Sequence, residues 1–140
     1  MNKNEAVFKW IKKCPAFKKL FFNFGTAKKN TADFIPVPTD YTVKTDVLGN
    51  ETKCYDFAVS VFGSVDDTSF DGSENLADTA ALENLTEWIK QKNRERDYPD
   101  FGENCTVEKV TIIQNIPASM RIQNISKYLA QYRIIYEEIN

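Results

Sequence analysis

The spacing of hydrophobic and polar positions changes several times along the chain, and each change marks an element. Near the N-terminus Val7, Trp10, Ile11, Cys14 and Phe17 recur at three- and four-residue steps, while Lys9, Lys12 and Lys13 fall largely elsewhere. That period predicts an amphipathic helix over residues 4–17. Pro15 removes a donor and clashes with the turn before it, so the helix is expected to kink or end near Lys13. Residues 20–24, Leu-Phe-Phe-Asn-Phe, read as a short apolar strand closed by Gly25. The stretch 26–39 is polar at first, then carries Pro36 and Pro38, and reads as a loop.

The period then drops to two. Tyr41, Val43, Thr45 and Val47 alternate with Thr42, Lys44 and Asp46, as in a half-buried strand. Gly49-Asn50 predicts a two-residue hairpin turn, because both residues tolerate positive φ. A second strand follows, with Tyr55, Phe57, Val59 and Val61 alternating with Cys54, Asp56, Ala58 and Ser60. Residues 64–73 have loop chemistry throughout. A second helix is expected from Ser73 or Asn75, either able to cap it, to Asn93. Its apolar stripe is Leu76, Ala77, Ala80, Ala81, Leu85, Trp88 and Ile89, and Lys90, Lys92, Arg94 and Arg96 suit the negative end of the helix dipole. Pro99 and Gly102 mark another loop. Residues 107–114 and 129–139 then read as strands, with Pro117 breaking the first or placing it at a sheet edge.

The predicted order is α-β-β-β-α-β-β in one domain spanning residues 1–140. Two helices among about five strands point to an α+β fold. A mainly antiparallel sheet with both helices packed on one face is the expected arrangement.

Composition changes this picture little; charge changes it more. An apolar share of 42% and a charged share of 27% are those of a globular chain. No apolar run approaches the roughly 20 residues of a membrane helix, and lysines interrupt the N-terminal apolar positions as they would not in a signal peptide. A cytosolic protein is expected. The net charge of −2 conceals an asymmetry. Residues 1–29 hold Lys3, Lys9, Lys12, Lys13, Lys18, Lys19, Lys28 and Lys29 against one acid, Glu5. The rest of the chain is acidic, so copies could attract head to body.

The chemistry legible in the sequence is sparse. The chain has no histidine, which removes Ser-His-Asp and Cys-His arrangements and the commonest zinc ligand. Cys14, Cys54 and Cys105 are odd in number, widely spaced and without a partner base, and read as reduced, buried residues. No GxGxxG or GxxxxGK[ST] is present to cradle a nucleotide. Asp66, Asp67, Asp71 and Glu74 are the best metal candidates, but their spacing is not that of an EF-hand, and loop solvation with helix capping explains them better. Phe8, Trp10 and Phe17 interleave with the lysines of the first helix but fit a core stripe, and arginine is absent until Arg94, so a solvated or partner-facing surface fits better than a nucleic-acid one. No enzyme activity, cofactor or metal is expected.

Two stretches carry a family resemblance. The C-terminal run Tyr-Leu-Ala-Gln-Tyr-Arg-Ile-Ile-Tyr-Glu-Glu (128–138) resembles the closing strand of small phage and prophage tail-assembly proteins. These are the tail-terminator, minor capsid and head–tail joining proteins of siphophage-like elements. The strand Tyr55-Asp56-Phe57-Ala58-Val59-Ser60-Val61, followed by an acidic helix, is similar to their middle, and the first helix with its short apolar strand to their start. The resemblance implies a non-enzymatic structural subunit for virion assembly, closing into a ring, typically a hexamer, at the end of the tail tube or at the neck. Its partners would be other copies of itself and tail-tube and head–neck proteins, with no membrane and no nucleic acid. It would sit in the bacterial cytoplasm during assembly and then in the virion tail or neck. The expected protein interface joins Lys9, Lys12, Lys13, Lys18 and Lys19 to Asp66, Asp67 and Asp71 of a neighbour, a head-to-tail contact. Two other readings stand beside it: a small-ligand-binding or enzymatic α+β domain with a cavity between sheet and helices, and nucleic-acid binding through the basic helix.

Overall fold

The computed structural model describes residues 2–17, 20–22, 31–64, 73–122 and 125–139. Its elements are α1 (Lys3–Ile11), β1 (Leu20–Phe22), β2 (Thr31–Thr45), β3 (Glu51–Ser64), α2 (Ser73–Glu95), β4 (Cys105–Ile122) and β5 (Ile125–Glu138). They form an α+β fold on one sheet of order β1-β2-β3-β5-β4. The β2–β3, β3–β5 and β4–β5 pairs are antiparallel, but β1 lies parallel to β2, so the sheet is mixed. The departure from a wholly antiparallel sheet comes from β1, which is only three residues long and adds to the outer edge of β2 at Ala32–Phe34.

Three boundaries differ from the sequence reading. Residues 31–39 belong to β2, not to a loop. Proline is tolerated there because β1 pairs with β2 only as far as Phe34, leaving one edge of β2 without a strand partner beyond it, and the ladder shifts register between Val37 and Tyr41. The hairpin connection is longer than two residues: strand pairing stops at Thr45 and Glu51, and Asp46 N–H donates to Asn50 O at 2.9 Å. Only Gly49 of the expected turn pair has a positive φ, +86°. Pro117 does not stop β4; it falls in a register shift between Ile116 and Met120 on what is an edge strand.

The registers show why the sequence folds this way. Tyr55, Phe57, Val59 and Val61 share one face with Phe34 of β2 and with Tyr128, Ala130, Tyr132 and Ile134 of β5. All of these are buried, and an aromatic row crosses the sheet, Phe34 to Phe57 at 5.4 Å and Phe57 to Tyr132 at 5.4 Å. Both helices pack on this face. α1 contributes Val7, Trp10 and Ile11, and α2 contributes Leu82, Leu85 and Ile89. Trp10 and Trp88 join the two helices with ring centroids 5.0 Å apart.

Polar atoms that enter this layer are satisfied there. Trp10 Nε1 donates to Asp97 O at 2.9 Å, Tyr55 OH donates to Asn4 Oδ1, and Thr86 Oγ1 lies 2.9 Å from Tyr132 OH. Burial pushes the Tyr132 phenol up to about 12. Of the kink or end expected near Lys13 it is the end that occurs: the helix stops at Ile11, and Lys12 and Lys13 form the turn that precedes Pro15. α2 ends in a left-handed residue, Arg96 at φ +55°, with Asp97 N–H donating to Lys92 O at 3.0 Å and Arg96 N–H to Asn93 O at 3.3 Å. This is the Schellman closure, made without its usual glycine.

Candidate functional site

The cysteines, the loop acids and the basic helix were the residues on which function could rest, and the structure sorts them. Cys14 and Cys54 are buried and Cys105 is half-buried, all free thiols. Burial raises the pKa of the Cys14 thiol, which suppresses its thiolate. Among the described residues no three His, Cys, Asp or Glu side chains are placed to hold a metal ion, and no helix is long and apolar enough to cross a membrane. Lys18, Lys19, Asp66, Asp67 and Asp71 lie outside the described residues, as does the side chain of Glu74.

Lys9, Lys12 and Lys13 are described and exposed. Their helix is fixed by the opposite side, where Ala6, Val7, Trp10 and Ile11 are all buried. The N-cap is Asn2, whose side chain accepts from Glu5 N–H at 2.8 Å. Lysines on other elements find acids nearby: Lys90 bonds Glu87, and Lys92 bonds Asp97 and Glu95. Among the described residues no ion pair involves Lys9, Lys12 or Lys13. Lys12 Nζ instead sits 5.2 Å from the centroid of the Phe8 ring. Phe8 meets Phe22 edge-on at 5.4 Å, and Phe21 and Phe22 of β1 are 40% and 42% exposed. Phe22 pairs with Phe34 on the helix side of the sheet while Phe21 pairs with Asp33 and faces the other side, so Phe8, Phe22 and Lys12 form one surface, basic and aromatic together.

The opposite end of the β2–β3 hairpin has the reverse character. Asp46 Oδ1 accepts from Leu48 N–H at 2.8 Å and from Asn50 N–H at 2.9 Å, and Gly49 N–H donates to Asp46 O at 3.1 Å. The Asn50 N–H is the main reason the Asp46 carboxyl is held below its usual range. This wiring braces the turn, with Val47 at 101% and Leu48 at 77% exposure, two aliphatic side chains left largely uncovered. Around them are the carboxylates Asp46, Glu51, Glu137 and Glu138, against Lys44 and Lys53. Lys53 bonds both Glu51 and Glu138, and Lys3 lies over the Tyr136 ring, so the balance at this end remains acidic.

A surface depression of about 310 Å³ lies beside this turn, lined by Gly49, Glu51, Lys53, Glu138 and Ile139. Its charged groups are already bonded to one another, and hydrogen bonding to Glu138 raises the pKa of Lys53 rather than freeing it as a base. The sheet face away from the helices carries a second ionic group. Asp56, buried, accepts from Arg133 Nε at 2.9 Å and Nη2 at 3.0 Å, a bidentate pair, and the Arg133 guanidinium lies over the Tyr41 ring. That pair neutralises itself and offers no free acid or base.

The sequence reading found the basic helix but missed the apolar patches beside it and at the hairpin tip. It placed Val47 in the alternation of a half-buried strand and Phe21 and Phe22 in a short apolar strand, without saying which side chains stay exposed. The available signal was that Val47 and Leu48 stand next to Gly49, where the chain reverses and cannot bury them against the sheet. No family model matches the chain, and no curated protein matches it in sequence.

Proposed function

We propose that this chain is a non-enzymatic structural subunit of a phage or prophage tail, a tail terminator or head–tail joining minor capsid protein, which acts by assembling with itself and with its neighbours. The observation that carries the reading is the exposed group of Lys9 on α1 and Lys12 and Lys13 in the turn that follows, none of them in an ion pair with another described residue. Charge left without an opposite partner there suits a complementary surface on another molecule. The second support is the resemblance of the 55–61 strand and the 128–138 strand to the tail-assembly family, on an α+β framework of the same order. The filled layer between sheet and helices is occupied by aromatic and aliphatic side chains and by their mutual hydrogen bonds, which favours a structural role over a ligand-binding one.

The test is made on the particles. In the phage or induced prophage that encodes the chain, purified tails should contain it in a fixed, low copy number. Deleting it should give tails of uncontrolled length or heads that fail to join tails. Complete, infectious particles formed without the chain would refute the proposal.

A further inference from the structure

The proposed assembly needs a surface, and two of the exposed apolar patches among the described residues carry opposite charge at their rims. One is a knob: Val47 and Leu48 on a turn braced by Asp46, rimmed by an excess of carboxylates. The other is an aromatic patch, Phe22 edge-on to Phe8, with Lys12 over the Phe8 ring and Lys13 next to it in the chain. They lie at opposite ends of the sheet. The turn precedes Glu51 of β3, whereas β1 borders Ala32–Phe34, which pairs with Val59–Val61. The nine residues from Glu51 to Ser60 span roughly 30 Å at the rise of an extended strand. The two patches therefore cannot meet within one chain.

We infer that the β2–β3 turn of one copy docks on the Phe8–Phe22 surface of the next, with Asp46 and its neighbouring carboxylates facing Lys12 and Lys13. The inference rests on the reading of the chain as a self-assembling subunit and names the contact that reading requires. The occupant is a second copy because charge and polarity match on both sides: an acidic rim around aliphatic groups meets a basic rim around aromatic ones. A contact between two different patches of the same chain is heterologous, so each copy gives one knob and receives another, and a closed rotation yields a ring. Apolar groups at the centre with charges around them are the arrangement in which a few residues dominate binding. The turn is held by its own hydrogen bonds before contact, so little freedom remains to be lost on docking.

This assigns to the hairpin tip the acidic role that the sequence reading gave to the loop at Asp66, Asp67 and Asp71. It also makes a prediction that a symmetric contact would not. A knob variant, Val47→Ser with Leu48→Ser, and a socket variant, Lys12→Glu with Lys13→Glu, each retain one working patch. All four positions are exposed, so both variants should keep the circular dichroism and melting behaviour of the unmodified chain.

In light scattering across concentration, the unmodified chain should reach a finite assembly that weakens as salt is raised. Each variant alone should stay monomeric, and an equimolar mixture of the two should form a dimer and nothing larger. If the variants assemble as the unmodified chain does, the contact is elsewhere: the inference fails while the proposed self-assembly survives. A mixture that remains monomeric, or an unmodified chain that is monomeric at every concentration, also overturns the inference. Detection of the chain in purified tails decides the proposed function separately.

Discussion

Asn93 on the last turn of α2 acts as a clamp on the edge of the sheet, and replacing it gives a measurable consequence. Its Nδ2 donates to Val110 O at 2.8 Å, its Oδ1 accepts from Val110 N–H at 3.0 Å, and Tyr98 OH donates to the same Oδ1 at 3.0 Å. The side chain thus stands in for a neighbouring strand at one residue of β4, whose outer edge has no ladder partner among the described residues. Asn93→Ala leaves the N–H and C=O of a buried residue without partners. Each such group costs about 1–3 kcal/mol, and water reaching an edge strand favours the lower end. The sum is about 2–3 kcal/mol, or a fall in Tm of about 6–9 °C for a domain of this size.

Denaturant unfolding at fixed pH gives the first number. Asn93→Asp supplies the discriminating one. Its ionised form cannot donate to Val110 O, but its protonated form can. Relative to Asn93→Ala, the Asp variant should therefore gain stability as pH falls through the carboxyl range, near 4. A cost under about 0.5 kcal/mol for the Ala variant, or no acid recovery for the Asp variant relative to it, would refute the clamp.

Three further expectations follow from the same structure. Burial raises the Tyr132 phenol to about 12, so its contribution is complete below pH 10 and is lost as pH rises from there towards 12. The two-unit shift amounts to about 3 kcal/mol, and Tyr132→Phe should remove that alkaline loss in urea titrations compared between pH 9 and pH 12. At the C-terminus of α2, Arg96→Gly relieves a left-handed backbone at φ +55° and should raise stability by about 0.5–1 kcal/mol; a loss by denaturant unfolding would contradict the assigned closure. At the hairpin tip, the Asp46 carboxyl is lowered, so its support is present at neutral pH and lost as pH falls through its own pKa. Asp46→Ala should speed amide exchange at Leu48 and Asn50 without changing the melting of the core; unchanged exchange at those two amides would show that the carboxylate does not brace the turn.

Much of the fold was legible from spacing alone, because the elements that pack on the core carry their period in their own residues. Val7, Trp10 and Ile11 predicted the buried side of α1, and Phe57, Val59, Tyr132, Ile134 and Tyr136 predicted the inward face of the central strands. Hydrophobic burial imposes those periods locally, so the order α-β-β-β-α-β-β could be read without a partner for any element. The edges of the sheet could not be read that way. Whether Pro36 interrupts a strand or sits on its open side depends on which neighbours flank it, and β1 joins β2 in parallel only because the chain returns alongside its outer edge.

The candidate site divides in the same manner. The basic helix was visible as composition in the first residues of the chain. Its nearness to Phe22, and the exposure of Val47 and Leu48 at the far end of a long hairpin, required the tertiary structure. Alternation says which residues share a face of a strand, but not whether anything covers that face: Tyr41 and Val43 alternate as core residues do and yet remain exposed, because after the register shift Tyr41 pairs with Cys54 and lies under Arg133 on the face away from the helices, and Val43 falls at a second shift. Sequence therefore set the periods and the charge of the elements, and tertiary packing decided which apolar residues were left over to meet another molecule.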